Sequence, residues 1–282
     1  MRLYANRRAT NTLAAVLMVV VVIAAFSILV ATALLFRPFA PTTGSGGPVT
    51  GSGRLVTEEL QYNDFRIVRV VSAFQVGITY SNSYKVSVTM DDNIFDYLQA
   101  TKEGDVLTIG LKLEQGTLSL SLKAEIQLPD LYELQLDGAA RGKIQGFNSS
   151  HKFTVLLSGA SSAEITDTSA GDVEIEISAA GRLSGSLTAN GEARFSLSAA
   201  STATLGGKAN NLLIDTSAAS HLELSDFTVH NARVNLSGAS QAKINLDGRL
   251  DANLSGASTL LYRGEPTLGD ISVTGGSTIS KE

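Results

Sequence analysis

The sequence predicts an all-β protein, a parallel β-helix with coils of about 20 residues, preceded by one transmembrane helix and a flexible linker. Three observations carry this. A five-residue phrase of small residues returns eight times at nearly constant spacing. Period-two alternation of apolar and polar residues flanks each copy. A long uncharged apolar run stands near the N-terminus.

The chain has 282 residues, of which 44% are hydrophobic and 17% charged, so it can bury a sizeable core. The formal net charge is −5, which argues against nucleic acid as a partner, since phosphate binding needs a basic face. There is no cysteine, which excludes disulfides, thiolate metal sites and acylation of a lipoprotein-type Cys. Gly is frequent at 26 residues and Trp is absent, as suits a fold with many tight bends and little interior room.

No charged residue occurs between Arg8 and Arg37, and the run 13–36 is almost wholly apolar. Its 24 residues make a helix of about 36 Å, enough to cross a hydrocarbon layer of roughly 30 Å. Arg2, Arg7 and Arg8 precede it and only Arg37 follows closely, which predicts a cytoplasmic tail (1–12) and an exported remainder. A cleaved signal peptide is the competing reading. The length of the run and the Arg37–Pro38–Phe39 context favour an uncleaved anchor. Residues 37–54, rich in Gly, Ser and Pro, predict a tether; no strand precedes these glycines and no helix follows, so they are not a phosphate loop.

The repeat occupies 131–282. Its phrase reads Leu-Asp-Gly-Ala-Ala at 136–140, Leu-Ser-Gly-Ala-Ser at 157–161, 236–240 and 254–258, and variants elsewhere. The third residues are Gly138, Gly159, Ala179, Ala199, Ala218, Gly238, Gly256 and Gly275, at intervals of 21, 20, 20, 19, 20, 18 and 19. Four positions earlier stand Leu134, Val155, Ile175, Phe195, Ile214, Val234, Ala252 and Ile271, all apolar. Two positions earlier every residue is a branched apolar one except Thr216, and the positions between are mostly polar. Alternation resumes after the phrase, as at Ala163 and Ile165 or Leu222 and Leu224. Each repeat therefore predicts at least two short strands around a corner. Stacked at about 4.8 Å, seven steps span about 34 Å. At an inward corner only Gly, Ala and Ser would clear the opposite wall, with Ser hydroxyls bonding nearby backbone. The eight marker residues are thus structural.

The segment 55–130 is less regular but rich in apolar alternation over 65–71, 74–80, 84–90, 106–113 and 118–128. It predicts irregular first coils or a capping sheet, with one helical turn within 91–100.

The order of certain phrases resembles the bacterial auto-transporter adhesins with a head GIN domain. These are Phe-Gln-Val-Gly-Ile at 74–78, Lys-Val-Ser-Val at 85–88, Asp-Asn-Ile at 92–94, Leu-Thr-Ile at 107–109 and Ile-Gln-Leu-Pro-Asp-Leu at 126–131, leading into 136–140. The resemblance covers about 65–280. It implies a right-handed β-helix at the cell surface and a role in adhesion or envelope interaction, and it brings no catalytic residues.

Other β-helices are polysaccharide lyases and hydrolases, whose chemistry needs carboxylates converging on one face. The best candidates are Asp251 with Asp270 on adjacent coils, and Glu174 with Glu176 on one strand beside Arg194. A solvated wall of mixed charge also accounts for them. His151, His221 and His230 lack the i+3 or i+4 partner of a zinc site, and no nucleophile elbow or calcium-binding nonapeptide occurs. His221 beside Glu223 reads as a solvated pair. Asn235 and Asn253 read as stacked outer amides, although both also match the glycosylation triplet.

No catalytic, metal or cofactor site is expected. The sequence favours a membrane-anchored, non-enzymatic surface module that binds a glycan or protein outside the cell or in the periplasm. A carbohydrate-active enzyme and a structural or sensing envelope protein are the alternatives. Oligomeric state stays open.

Overall fold

A computed structural model describes residues 49–112, 117–118 and 120–282; the expected anchor at 13–36 lies outside them. Among the described residues no helix is long and apolar enough to cross a membrane. The strands form a β-solenoid of about seven turns with almost no helix.

Each regular coil begins with a first-wall strand such as Phe153–Leu157, turns a corner at 158–161, and continues in a longer strand, Ser162–Ala170. A register shift between Ile165 and Thr168 breaks that strand, with φ of 47° at Asp167, so each coil has three walls. Equivalent shifts recur at 204–207 and 224–228. Pairings between successive coils are parallel and, apart from such shifts, keep register: Thr154 faces Glu174, which faces Arg194, which faces Leu213. Parallel pairing follows from the repeat, because each coil brings the chain back in the same direction one strand spacing further on.

Alternation decides which side chains fill the interior. Leu134, Val155, Ile175, Phe195, Ile214 and Val234 form one buried column, and Leu136, Leu157, Ile177, Leu197, Leu236 and Leu254 another. In the third wall Phe227 meets Phe195 edge-on, ring centroids 6.1 Å apart. Thr216 sits in the second column between Leu197 and Leu236, and its buried hydroxyl has no partner.

All eight marker residues are corners, with φ between 59° at Ala179 and 78° at Gly256. The corner faces outward, contrary to the inward placement expected from sequence: the marker and the residue after it are on the surface, except in the half-exposed second corner marker Gly159 and at Ala180. Small residues are required there for two other reasons. The left-handed backbone penalises a side chain, by about 1–2 kcal/mol. The coil beneath also lies close: a Cβ on Gly159 would stand 2.7 Å from the Gly138 carbonyl oxygen. The inward small position is two residues later, occupied by Ala140, Ser161, Ser201, Ser220, Ser240 and Ser258, all buried. The hydroxyls of Ser201, Ser220 and Ser258 donate to carbonyls three residues back, at 2.9, 2.7 and 2.8 Å. Ser240 bonds the Ser237 carbonyl in the same way.

The sequence pattern missed one corner. Ser72 has φ of 74°, and its carbonyl accepts from Ala139 N–H at 3.2 Å, so Ile67–Val70 and Gln75–Tyr80 form a further corner and its two walls beneath Gly138. From there the chain leaves the stack. Val106–Leu111 and Leu122–Leu128 return to lie parallel beneath that coil. Leu98–Glu103 adds antiparallel to the former, while Lys85–Asp91 and then Leu55–Leu60 add antiparallel to the latter. Among the described residues the one helical element is a 3-10 helix, Asp92–Tyr97. Antiparallel strands end the parallel stack and cover its first edge.

The interior makes two stability predictions, both read by denaturant melts. Thr216→Val removes an unpaired hydroxyl between two leucines and raises stability by about 1 kcal/mol, whereas Ser240→Ala loses a satisfied bond and costs about 1 kcal/mol. At Gly207, with φ of 129°, a Cβ would stand 1.8 Å from the Leu187 carbonyl oxygen. Gly207→Ala therefore destabilises by several kcal/mol, while Ala199→Gly, at φ of 62°, stabilises by roughly 0.5–1 kcal/mol.

Candidate functional site: the outer face of the first wall

Strand alternation that sends aliphatic residues inward sends their neighbours outward, and register lines them up. One outward column of the first wall runs Glu133, Thr154, Glu174, Arg194, Leu213, Arg233, Asp251. The parallel column runs Gln135, Leu156, Glu176, Ser196, Asp215, Asn235, Asn253, Ser272. These columns carry Glu174, Glu176 and Asp251, three of the four carboxylates singled out from the sequence; a bulge displaces the fourth, Asp270, from register.

Asp251 and Asp270 do come together. The Asp251 carboxylate accepts the Asp270 N–H at 2.8 Å, and Arg249 bridges both side chains at 2.7 and 3.6 Å. The Arg249 guanidinium and the Asp270 amide hold Asp251 below the ordinary carboxylate range. Such a group stays ionised and serves poorly as a proton donor. Glu174 and Glu176 share a strand face as expected, and Glu174 is paired with Lys152. Burial, and next the charge of Glu174, push Glu176 upward. A carboxyl shifted toward neutrality beside a second carboxylate that is salt-bridged to a lysine is an arrangement from which acid–base pairs are built.

Shape separates the two pairs. A shallow groove of about 470 Å³ is lined by Arg233, Asn235, Asp251, Asn253, Asp270 and Ser272, together with backbone-proximal apolar residues. Glu174 and Glu176 do not line it. They do not line the second groove either, about 430 Å³ over the bend of the third wall, where Asn148, Asp167, Ser169, Ser186 and Thr188 gather.

Most polar groups on the first wall are already engaged with neighbouring coils. Arg194 pairs with Asp215 at 3.5 Å, and the Asn235 amide donates to Asp215 at 2.8 Å. Asn235 and Asn253 are register neighbours, yet the Asn235 amide goes to the carboxylate on its other side, the stronger acceptor. Arg233 has no carboxylate within ion-pair distance among the described residues. His221 and Glu223 do not pair: Glu223 accepts from Ser225 and faces Lys243 at 3.5 Å. Sequence reasoning missed the pairing of His230 with Asp247 of the next coil, at 2.9 Å; they lie 17 residues apart, so no local motif marks them. It also missed the column Arg66, Tyr132, His151, in which Arg66 lies 5.4 Å over the Tyr132 ring and His151 stacks beside it at 4.9 Å. Among the described residues no three His, Asp or Glu side chains gather in a way that could hold a metal ion.

Known structures share this architecture. A protein from Parabacteroides merdae described as a "putative adhesin" superposes with a TM-score of 0.72 at 17% identity, covering 84% of this chain and 100% of its own. A "putative adhesin" from Parabacteroides distasonis gives 0.76 at 16% identity, covering 83% and 99%. A "putative lipid binding protein" from P. distasonis gives 0.69 at 19% identity, again covering 83% and 99%. At these identities the likeness speaks for the fold. No curated protein matches the chain in sequence. The family model for "putative auto-transporter adhesin, head GIN domain" matches residues 64–266, well over half of the sequence, and the chain belongs to that family.

Proposed function

We propose that this chain is a non-catalytic binding module displayed on the cell surface, a right-handed β-helix held to the membrane by the apolar segment 13–36. The first-wall groove carries the reading. It is shallow and open, it lies on a rigid wall, and it presents the guanidinium of Arg233 with the amide of Asn253 and the hydroxyl of Ser272. Uncommitted planar donors and acceptors on a flat face suit hydroxyl-rich or carboxylated glycans, and the partner is taken as a surface glycan or a glycosylated protein. Membership of an adhesin-like family supports the same reading, as do the adhesin descriptions of two structural relatives. The uncharged run after Arg2, Arg7 and Arg8 supports the membrane tether and the outward placement.

A second reading has one observation in its favour, the upward shift of Glu176 beside the Lys152-paired Glu174. It makes the chain a glycan-cleaving enzyme.

Full-length protein in detergent, probed on glycan arrays, should bind a defined set of glycans. Arg233→Glu and Asn253→Ala should each weaken binding about tenfold, or about 1.4 kcal/mol, without lowering the melting temperature. Absence of any ligand, together with unaltered cell attachment on deletion, would remove the binding reading. Release of reducing ends or unsaturated sugars, abolished by Glu176→Gln, would replace it with the enzymatic one.

A further inference from the structure

Residues 49–60 are held to the solenoid chiefly by backbone and polar side-chain hydrogen bonds. Among the described residues Leu55–Leu60 pairs on one side only, with Lys85–Asp91. Nearly all of its side chains are exposed, Leu55 by 48% and Val56 by 37%, so packing contributes little. Within 49–60 only Val49 and Leu60 lean on the core, and Val49–Thr50 pairs parallel with Thr117–Leu118 over two residues. Immediately before Leu55–Leu60, the short segment 50–54 is gripped by three consecutive residues at the start of the 3-10 helix. Asp91, only 2% exposed, accepts from Gly53 N–H at 2.8 Å and from Ser121 N–H at 3.0 Å. Asp92 takes the Ser52 hydroxyl and the Arg54 guanidinium, and its own N–H donates to the Arg54 carbonyl at 2.9 Å. The Asn93 side chain accepts from Ser52 N–H at 2.9 Å and donates to the Thr50 carbonyl at 3.0 Å. The fit is close: a Cβ on Gly51 would stand 2.6 Å from the Asp91 carboxylate.

We propose that residues 49–60 are a strap that opens and closes on the solenoid as a unit, with Asp91, Asp92 and Asn93 as its catch. The physical ground is an imbalance. The strand buries almost nothing, so its backbone ladder alone would fray from its first residue. The catch sits at that first residue and ties one short segment through all three side chains, so the ladder opens only after the catch lets go. Downstream, peeling stops at Tyr62, whose hydroxyl donates to the Ala100 carbonyl at 2.6 Å, and at Phe65, which is fully buried. An open strap bares the outer edge of Lys85–Asp91, a row of unpaired backbone groups that another antiparallel strand can occupy. This inference does not depend on the binding role proposed above.

Limited trypsin digestion of the full-length protein tests it, because Arg54 lies within the strap. Cleavage of a transiently open segment follows its open population. Asp92→Asn, Asn93→Ala and Gly51→Val should each speed cleavage after Arg54 by about tenfold, with the melting temperature unchanged and no new cuts in the coils. Gly51→Val leaves every charge in place and displaces the segment by bulk alone, which separates loss of the catch from a general change in electrostatics. The proposal is overturned by unchanged cleavage in all three variants. It is equally overturned by faster cleavage that appears only alongside lowered melting temperature and cuts after Arg182 within the stack.

Discussion

The structure depends on a column of left-handed corners bonded to one another along the axis of the stack. The N–H that follows each corner residue donates to the corner carbonyl of the preceding coil, as in Ala160 to Gly138, Ala180 to Gly159, Ala200 to Ala179 and Ala257 to Gly238, at 2.6–2.9 Å. The hydrogen-bond ladder of the first wall is thereby carried around the bend into the second without a break. Turns in globular proteins commonly leave backbone groups to water. Here each turn is a rung, and the register of one wall is transmitted to the next.

That constraint accounts for the division between interior and surface. With register fixed, each inward position becomes a continuous column, and a polar intruder such as Thr216 has only aliphatic neighbours above and below. Outward positions become columns too, so charged residues also find partners one coil away, as Lys152 finds Glu174 and Lys143 finds Glu164. The first wall is therefore a latticework of inter-coil contacts, and the groove around Arg233 stands out because that guanidinium is left out of it.

Much of this was legible in the sequence because a solenoid writes its geometry as a period. The corner spacing, the two flanking strands and the buried aliphatic columns follow from one repeated phrase. What escaped did so for physical reasons. The side to which a corner faces is not set by residue size, since a positive φ and a close neighbouring coil demand small residues as firmly as an interior does. The coil at Ser72 hid because Val71 and Phe74 replace the small residues of the phrase and the chain detours through about fifty residues before stacking resumes. The partner choices of Asn235 and His230 rest on competition between acceptors brought together by folding. The carboxylates picked out from sequence lie on the first wall, but their divergent shifts depend on the burial of Glu176 and on Arg249 beside Asp251, neither of which the columns mark.

The shortening of the coils toward the C-terminus has a consequence of its own. Between Gly238 and Gly256 the third wall shrinks to Asn245 and Leu246, while the first two walls keep their register. One side of the cylinder is thus the main free variable, the other two walls departing from register only at the first-wall bulge at 250–252. Changes in coil length are absorbed mostly along one seam, and whole coils can be gained or lost at like junctions, so the reach of the rod can change without redesign of its interior.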